Sequence, residues 1–190
     1  MKRVICITDG DEYAYQALRF VAKKFHAHCI RETCANPTHL SGKEIYRFIE
    51  RAPSDLVFVL FDDSGTIGSG AGEKALQYIV QHPNIQILGV LAVASHTRNM
   101  EYTKVDVCLD RFGHRTAYGV DKEGFPEMDL HRINGDTVYI LDQLTVPIVV
   151  GIGDIGKMGG FDDIQKGCPI TTKAISLILS RTKEDFRKKH

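Results

Sequence analysis

The sequence predicts an α/β fold, a mainly parallel sheet flanked by helices with one added β-hairpin. Three observations predict it. The runs VICITDGDE (4–12), VFVLFDDSGTIGSGAGEK (57–74) and VPIVVGIGDIGK (146–157) each pass from continuous Val, Ile, Leu or Phe into an acidic, glycine-bearing turn. Uninterrupted apolar runs of this length suit strands covered on both faces, and helical periodicity between them implies parallel βαβ connections. The segment VDVCLDRFGHRTAYGV instead alternates on either side of a polar, glycine-bearing centre, which is a hairpin signal.

In chain order the patterns predict a strand at 3–8, a helix at 11–25, a strand at 27–31, a helix at 41–51, a strand at 56–61, a helix at 71–81 and a strand at 85–93. They continue with strands near 104–111 and 115–119, a helix at 135–144, a strand at 147–151 and a helix at 170–184. The first helix rests on Ala14, Leu18, Val21, Ala22 and Phe25 sharing one face, and the last on Ile175, Ile178 and Leu179. Ser41 and Glu44 have the spacing of a capping box, Gly135-Asp136 precedes DTVYILDQL, and Thr171 or Thr172 can cap the final helix. Residues 120–134, with Gly124, Pro126 and no period, read as an irregular excursion. At 190 residues, 43% hydrophobic and 25% charged, the economical count is one domain spanning 1–190.

Twenty-four basic residues balance twenty-four acidic ones, so nothing in the net charge announces nucleic acid as a partner. The start MKRVICITDG enters a strand-like run too short and wrongly flanked for a signal peptide, which sets an expectation of synthesis in the cytoplasm. The longest apolar stretch is about eight residues against roughly 20 needed to span a bilayer. Five cysteines, an odd number in a chain large enough not to need stapling, read as reduced thiols.

Parallel strands bring their carboxyl ends to one edge, where ligands of open sheets bind. Asp9, Asp11, Glu12, Asp62, Asp63 and Asp154 therefore belong to one rim. Two carboxylates about 4 Å apart repel by about 4 kcal/mol at an effective dielectric near 20. A cation, a proton or a helix N-terminus must compensate. One reading makes Asp9, Asp11, Asp62 and Asp63 ligands of magnesium or calcium, which need only converging oxygens. The other makes the aspartates caps of helices and turns. Both stay open at this point.

The glycines offer ligand-binding alternatives. Gly65, Gly68, Gly70 and Gly72 precede a helix and can form an anion nest, although Glu73 before Lys74 departs from a P-loop. Gly151, Gly153 and Asp154 belong to GIGDIG, which matches the dinucleotide pattern but is not followed by a helix opening. The cluster His26, His28, Cys29, Cys34 and His39 lacks standard chelating steps. Ser95-His96 lacks the strand-turn-helix setting of a nucleophile elbow. Arg181, Lys183, Arg187, Lys188 and Lys189 suit a helix C-terminus, with an anionic membrane face as the alternative.

The pieces ITDGDEYA, FDDSGTIGSGAGEKAL, GVLAVAS, RINGDTVYILDQLTVPIVVGIGDIGKM and DDIQKGCPITTKA together resemble the stage V sporulation protein AE family, the soluble AEa-type component of the stage V sporulation A group of endospore-forming Firmicutes. The resemblance implies a non-catalytic accessory of a spore inner-membrane channel complex linked to calcium dipicolinate movement and germination. Its implied partners are the complex's membrane and soluble subunits, with calcium or dipicolinate as candidate ligands and a location peripheral to the spore inner membrane. It transfers no catalytic residue. More distantly, the acidic turns resemble the Toprim domain of primases and topoisomerases, which places a glutamate after its first strand and an Asp-x-Asp pair after a later one. Glu12 is displaced here and Asp62 and Asp63 are adjacent, which departs from that pattern. The expected fold is accordingly a Rossmann-like or Toprim-like domain. The alternative function is a divalent-metal-dependent phosphoryl-transfer or phosphohydrolase enzyme.

Overall fold

The structure, a computed structural model, describes residues 1–65, 70–95, 102–135 and 137–187, with the backbone alone for 182–187. Gly68, His96, Asp136, Lys188 and Lys189 lie outside the described residues, as do the side chains of Lys183 and Arg187.

The first half follows the predicted alternation: β1 (Lys2–Ile7), α1 (Glu12–Lys24), β2 (His28–Cys29), α2 (Gly42–Arg51), β3 (Leu56–Leu60), α3 (Ala71–Val80) and β4 (Ile85–Val93). The second half holds β5 (Thr103–Lys104), β6 (Val107–Leu109), β7 (Arg115–Thr116), β8 (Tyr118–Val120), β9 (Pro126–Leu130), β10 (Arg132–Ile133), β11 (Val149–Ile152) and α4 (Pro169–Arg187). Seven strands form one sheet in the order β2-β3-β1-β4-β11-β6-β7. All neighbours run parallel except β7, which returns antiparallel to β6 with Cys108 opposite Thr116. That pair is the predicted hairpin.

Period-2 alternation divides β1 between the two faces of the sheet. Ile5 and Ile7 pack with Leu18, Val21, Ile175 and Ile178, so α1 and α4 cover one face. Val4 and Cys6 pack with Ile45, Ile49, Leu76 and Ile79, so α2 and α3 cover the other. Val57, Phe58, Val59 and Leu60 are all fully buried, which explains why β3 reads as a continuous rather than alternating run.

Three predicted elements differ. The helix expected at 135–144 is a single 3-10 turn, Tyr139–Gln143, because Thr137 sits at φ 60 and Leu144 is already extended. Asp142 in that turn accepts hydrogen bonds from Thr103 Oγ1 and Lys104 N, both at 2.8 Å, tying it to β5. The excursion at 120–134 is ordered instead: β8 and β9 pair antiparallel, and Asp121 Oδ1 closes their turn by accepting from Glu123 N and Phe125 N. The strand expected at 27–31 shortens to β2, since Arg31–Thr33 turns into a 3-10 helix.

Candidate functional site

β1 lies between β3 and β4, and the chain fills β2 and β3 on one side before crossing to β4 on the other, so the sheet's switch point lies at the carboxyl end of β1. A cavity of about 250 Å³ opens there, lined by Thr8, Asp9, Asp11, Asn36, Asp62, Ser95, Lys122, Asp154 and Lys157 among others. Asp9 and Asp11 follow β1, Asp62 follows β3, Ser95 follows β4 and Asp154 follows β11. The structure therefore brings together three of the four predicted metal residues and Asp154. Asp63 turns away.

Asp63 is buried, and its carboxylate accepts from Gly72 N at 2.7 Å and Glu73 N at 3.0 Å, the first amides of α3. A negative charge on a helix N-terminus satisfies unpaired donors and complements the macrodipole. The anion nest anticipated from the glycine-rich turn thus holds the chain's own carboxylate. Asp11 does the same for α1 through Ala14 N at 2.6 Å. Ser41 and Glu44 form the full capping box on α2. Asp162, buried before α4, accepts from Ile170 N at 2.7 Å and Thr171 N at 3.0 Å, while its second oxygen takes Gly156 N and Thr171 Oγ1. All four helix N-termini at this edge are closed by side chains of the chain itself.

Two of the rim carboxylates are also committed locally. Asp62 accepts from Gly10 N at 3.0 Å and Ser64 N at 2.7 Å, drawing the β1 and β3 turns together. Gly10 is required by that approach, because a Cβ there would fall on Ala35 O and within 2.6 Å of Asp62 Cβ. Asp9 Oδ1 accepts from Asp11 N at 3.2 Å. Partial burial, followed by the charges of Asp11, Asp62 and Asp154, pushes the Asp9 carboxyl up to about 8. Burial also raises Asp154 above its ordinary value, against the pull of Lys157. Lys157 lies 3.1 Å from Asp11 and 3.6 Å from Asp154. Burial disfavours its charge, but the hydrogen bond to Asp11 and the charge of Asp154 outweigh that and raise its affinity for a proton. Within the rim, Lys157 supplies positive charge to Asp11 and Asp154. Among the described residues, no group of three or more His, Cys, Asp or Glu side chains is arranged to hold a metal ion. Asp63 is engaged by α3, and Asp11 by α1 and Lys157.

The other candidates are placed as follows. Gly65 turns at φ 69 and Gly70 precedes α3, its missing Cβ replaced by the Asp63 carboxylate. Gly72 lies against the Asp62 backbone, Gly151 against Cys108 Sγ, and Gly153 against Lys122 O. After β11 the chain runs through two short 3-10 turns before α4 begins at Pro169, so GIGDIG opens no helix. Cys29 is buried and Cys34 half-buried with its thiol directed to Asp11 O and Glu12. Lys122, Lys157 and Asp162 escaped the sequence reading. Asp162 stands eight residues ahead of the amide it caps, beyond the reach of local capping patterns.

The fold and edge define a three-layer parallel α/β protein whose acidic turns close its own helices. The chain belongs to the stage V sporulation protein AE1 family, whose model matches residues 3–182, and its role lies in sporulation. No curated protein and no solved structure matches the chain. Among the described residues, no helix is long and apolar enough to cross a membrane.

Proposed function

We propose that the protein is a non-catalytic, peripheral accessory of the spore inner-membrane channel assembly that moves calcium dipicolinate in germination, held there by contacts with the assembly's membrane and soluble subunits. Membership of the family over residues 3–182 supports the sporulation setting. The observation that carries the non-catalytic part is the self-closure of the carboxyl edge. Phosphoryl-transfer sites use helix N-terminal amides and free carboxylates for substrate and metal. Here Asp11, Asp63 and Asp162 fill those amides.

Asp9 favours one second reading. A carboxyl protonated near neutral pH beside a cavity is suited to general acid chemistry, which the phosphohydrolase alternative needs. Two assays separate the readings. Spores made without the chain are expected to release calcium dipicolinate more slowly on germinant addition, and unchanged release overturns the accessory role. The purified chain, given nucleotides and phosphate esters with magnesium or manganese, is expected to show no turnover. Turnover lost in Asp9→Asn establishes the enzyme instead.

A further inference from the structure

Three phenylalanines from separate turns meet at one place on the surface. Phe112 stands at the tip of the β6–β7 hairpin, Phe125 in the β8–β9 turn, and Phe161 in the connection from β11 to α4. They are 62%, 50% and 38% exposed. Phe112 and Phe161 meet edge to face at 5.0 Å, and the Arg111 guanidinium packs against Phe125 at 4.2 Å and Phe161 at 4.5 Å. Lys166 adds a second cation, 5.6 Å from Phe161.

The position of Arg111 is built by its surroundings. Gly159, at φ 60, leaves to Arg111 Nη2 the space its own Cβ would take, and a Cβ on Gly124 would lie 2.9 Å from Arg111 Cβ. Among the described residues, Arg111 Nη2 donates only a long 3.4 Å bond to Met158 O, and Nε is buried without an acceptor. No ion pair among the described residues includes Arg111. Asp110, next in the chain, accepts from Phe112 N and His114 N. Glu123 is half-buried, its Oε2 beside Gly159. A guanidinium packed on aromatic rings keeps its in-plane N–H groups for a carboxylate. Exposed aromatics around an arginine have the composition of an interface centre.

We propose that this patch docks a segment of a protein partner that presents a carboxylate to Arg111 and an apolar side chain to the three phenylalanines. A protein segment fits better than an anionic lipid surface because the 121–124 turn joins the patch to the acidic cavity. Lys122 lines that cavity and Phe125 belongs to the patch. A bilayer wide enough to bury the three rings would also press its negative charge on the carboxylates of Asp11, Asp62 and Asp154. A second copy in a two-fold contact would set one Arg111 against the other. The proposal rests on the accessory reading only for where the partner is sought.

The test is photo-cross-linking in sporulating cells with the full chain carrying benzoylphenylalanine at Phe112 or Phe161, and at Tyr78 on α3 as the control. Both patch positions are expected to give a protein adduct whose cross-linked peptide contains Asp or Glu beside apolar residues, with none from Tyr78. Arg111→Glu should lower the yield by about tenfold or more, the loss typical of a hot-spot side chain. Arg111→Gln, which keeps the stem to Cδ and removes the guanidinium, should lower it as well in a chain that circular dichroism shows to be folded. Adducts only to lipid, adducts only to a second copy of this chain, no adduct, or a yield indifferent to both variants each overturn the proposal. An acidic, Arg111-dependent adduct to a protein outside the channel assembly upholds the docking site and contradicts the channel reading. No adduct from a chain that still fractionates with the assembly does the reverse.

Discussion

Asp9→Asn isolates the electrostatic cost of the rim. Asp9 carries its proton to about pH 8 in the folded chain, against an unfolded value near 3.9. Between about pH 4 and 8 the folded state therefore binds more protons than the unfolded one, and stability falls as pH rises through that window. The slope for one such group is about 1.4 kcal/mol per pH unit, so raising the pH from 5 to 7 removes roughly 3 kcal/mol. Asn cannot ionise but can still accept the bond from Asp11 N. The variant should match the wild type only near pH 4 and below, and exceed it by a margin that grows from pH 5 to pH 7. Because neighbouring carboxylates share the titration, a relative gain of about 1 kcal/mol is the least the reasoning requires. Urea unfolding of both chains at pH 5, 6 and 7 measures it. A variant less stable than the wild type at pH 7, or a difference independent of pH, refutes the account of Asp9.

Asp63→Ala should cost about 2 kcal/mol in urea unfolding, since two buried amides of α3 lose a charged acceptor. Inorganic phosphate should then raise the melting temperature of the variant and leave the wild type unmoved, because the α3 N-terminus is vacated only in the variant. Asp162→Ala removes four hydrogen bonds to a buried carboxylate and should cost about 3 to 5 kcal/mol by the same measurement. A loss below about 1 kcal/mol would contradict its place as the clasp between the 156 turn and α4.

The sheet was legible because its strands are buried on both faces: Val57, Phe58, Val59 and Leu60 are all fully covered, and the sequence there is unbroken by polar residues. Convergence of Asp9, Asp11, Asp62 and Asp154 followed from parallel strands sharing one edge. The fate of Asp63 was not legible, since adjacent aspartates after one strand point to different neighbours and the pattern alone does not say which meets the helix. The β8–β9 pair was missed because PEMDL opens on a proline, carries no β-branched residue and alternates without a buried face, its order coming from Asp121 and the ladder to Tyr118. The Phe112, Phe125 and Phe161 patch has no sequence signature at all. Its members come from three turns and meet only through tertiary packing around Arg111.

The most direct measurement of the accessory reading is fractionation of spore membranes. At 1 M salt the Debye length is about 3 Å, so purely electrostatic attachment to anionic lipid is lost while an apolar protein interface survives. The account predicts that the chain stays with the inner-membrane fraction through such a wash and leaves it when the other subunits of the channel assembly are deleted. Release by salt alone, or retention in the deletion strains, would contradict it.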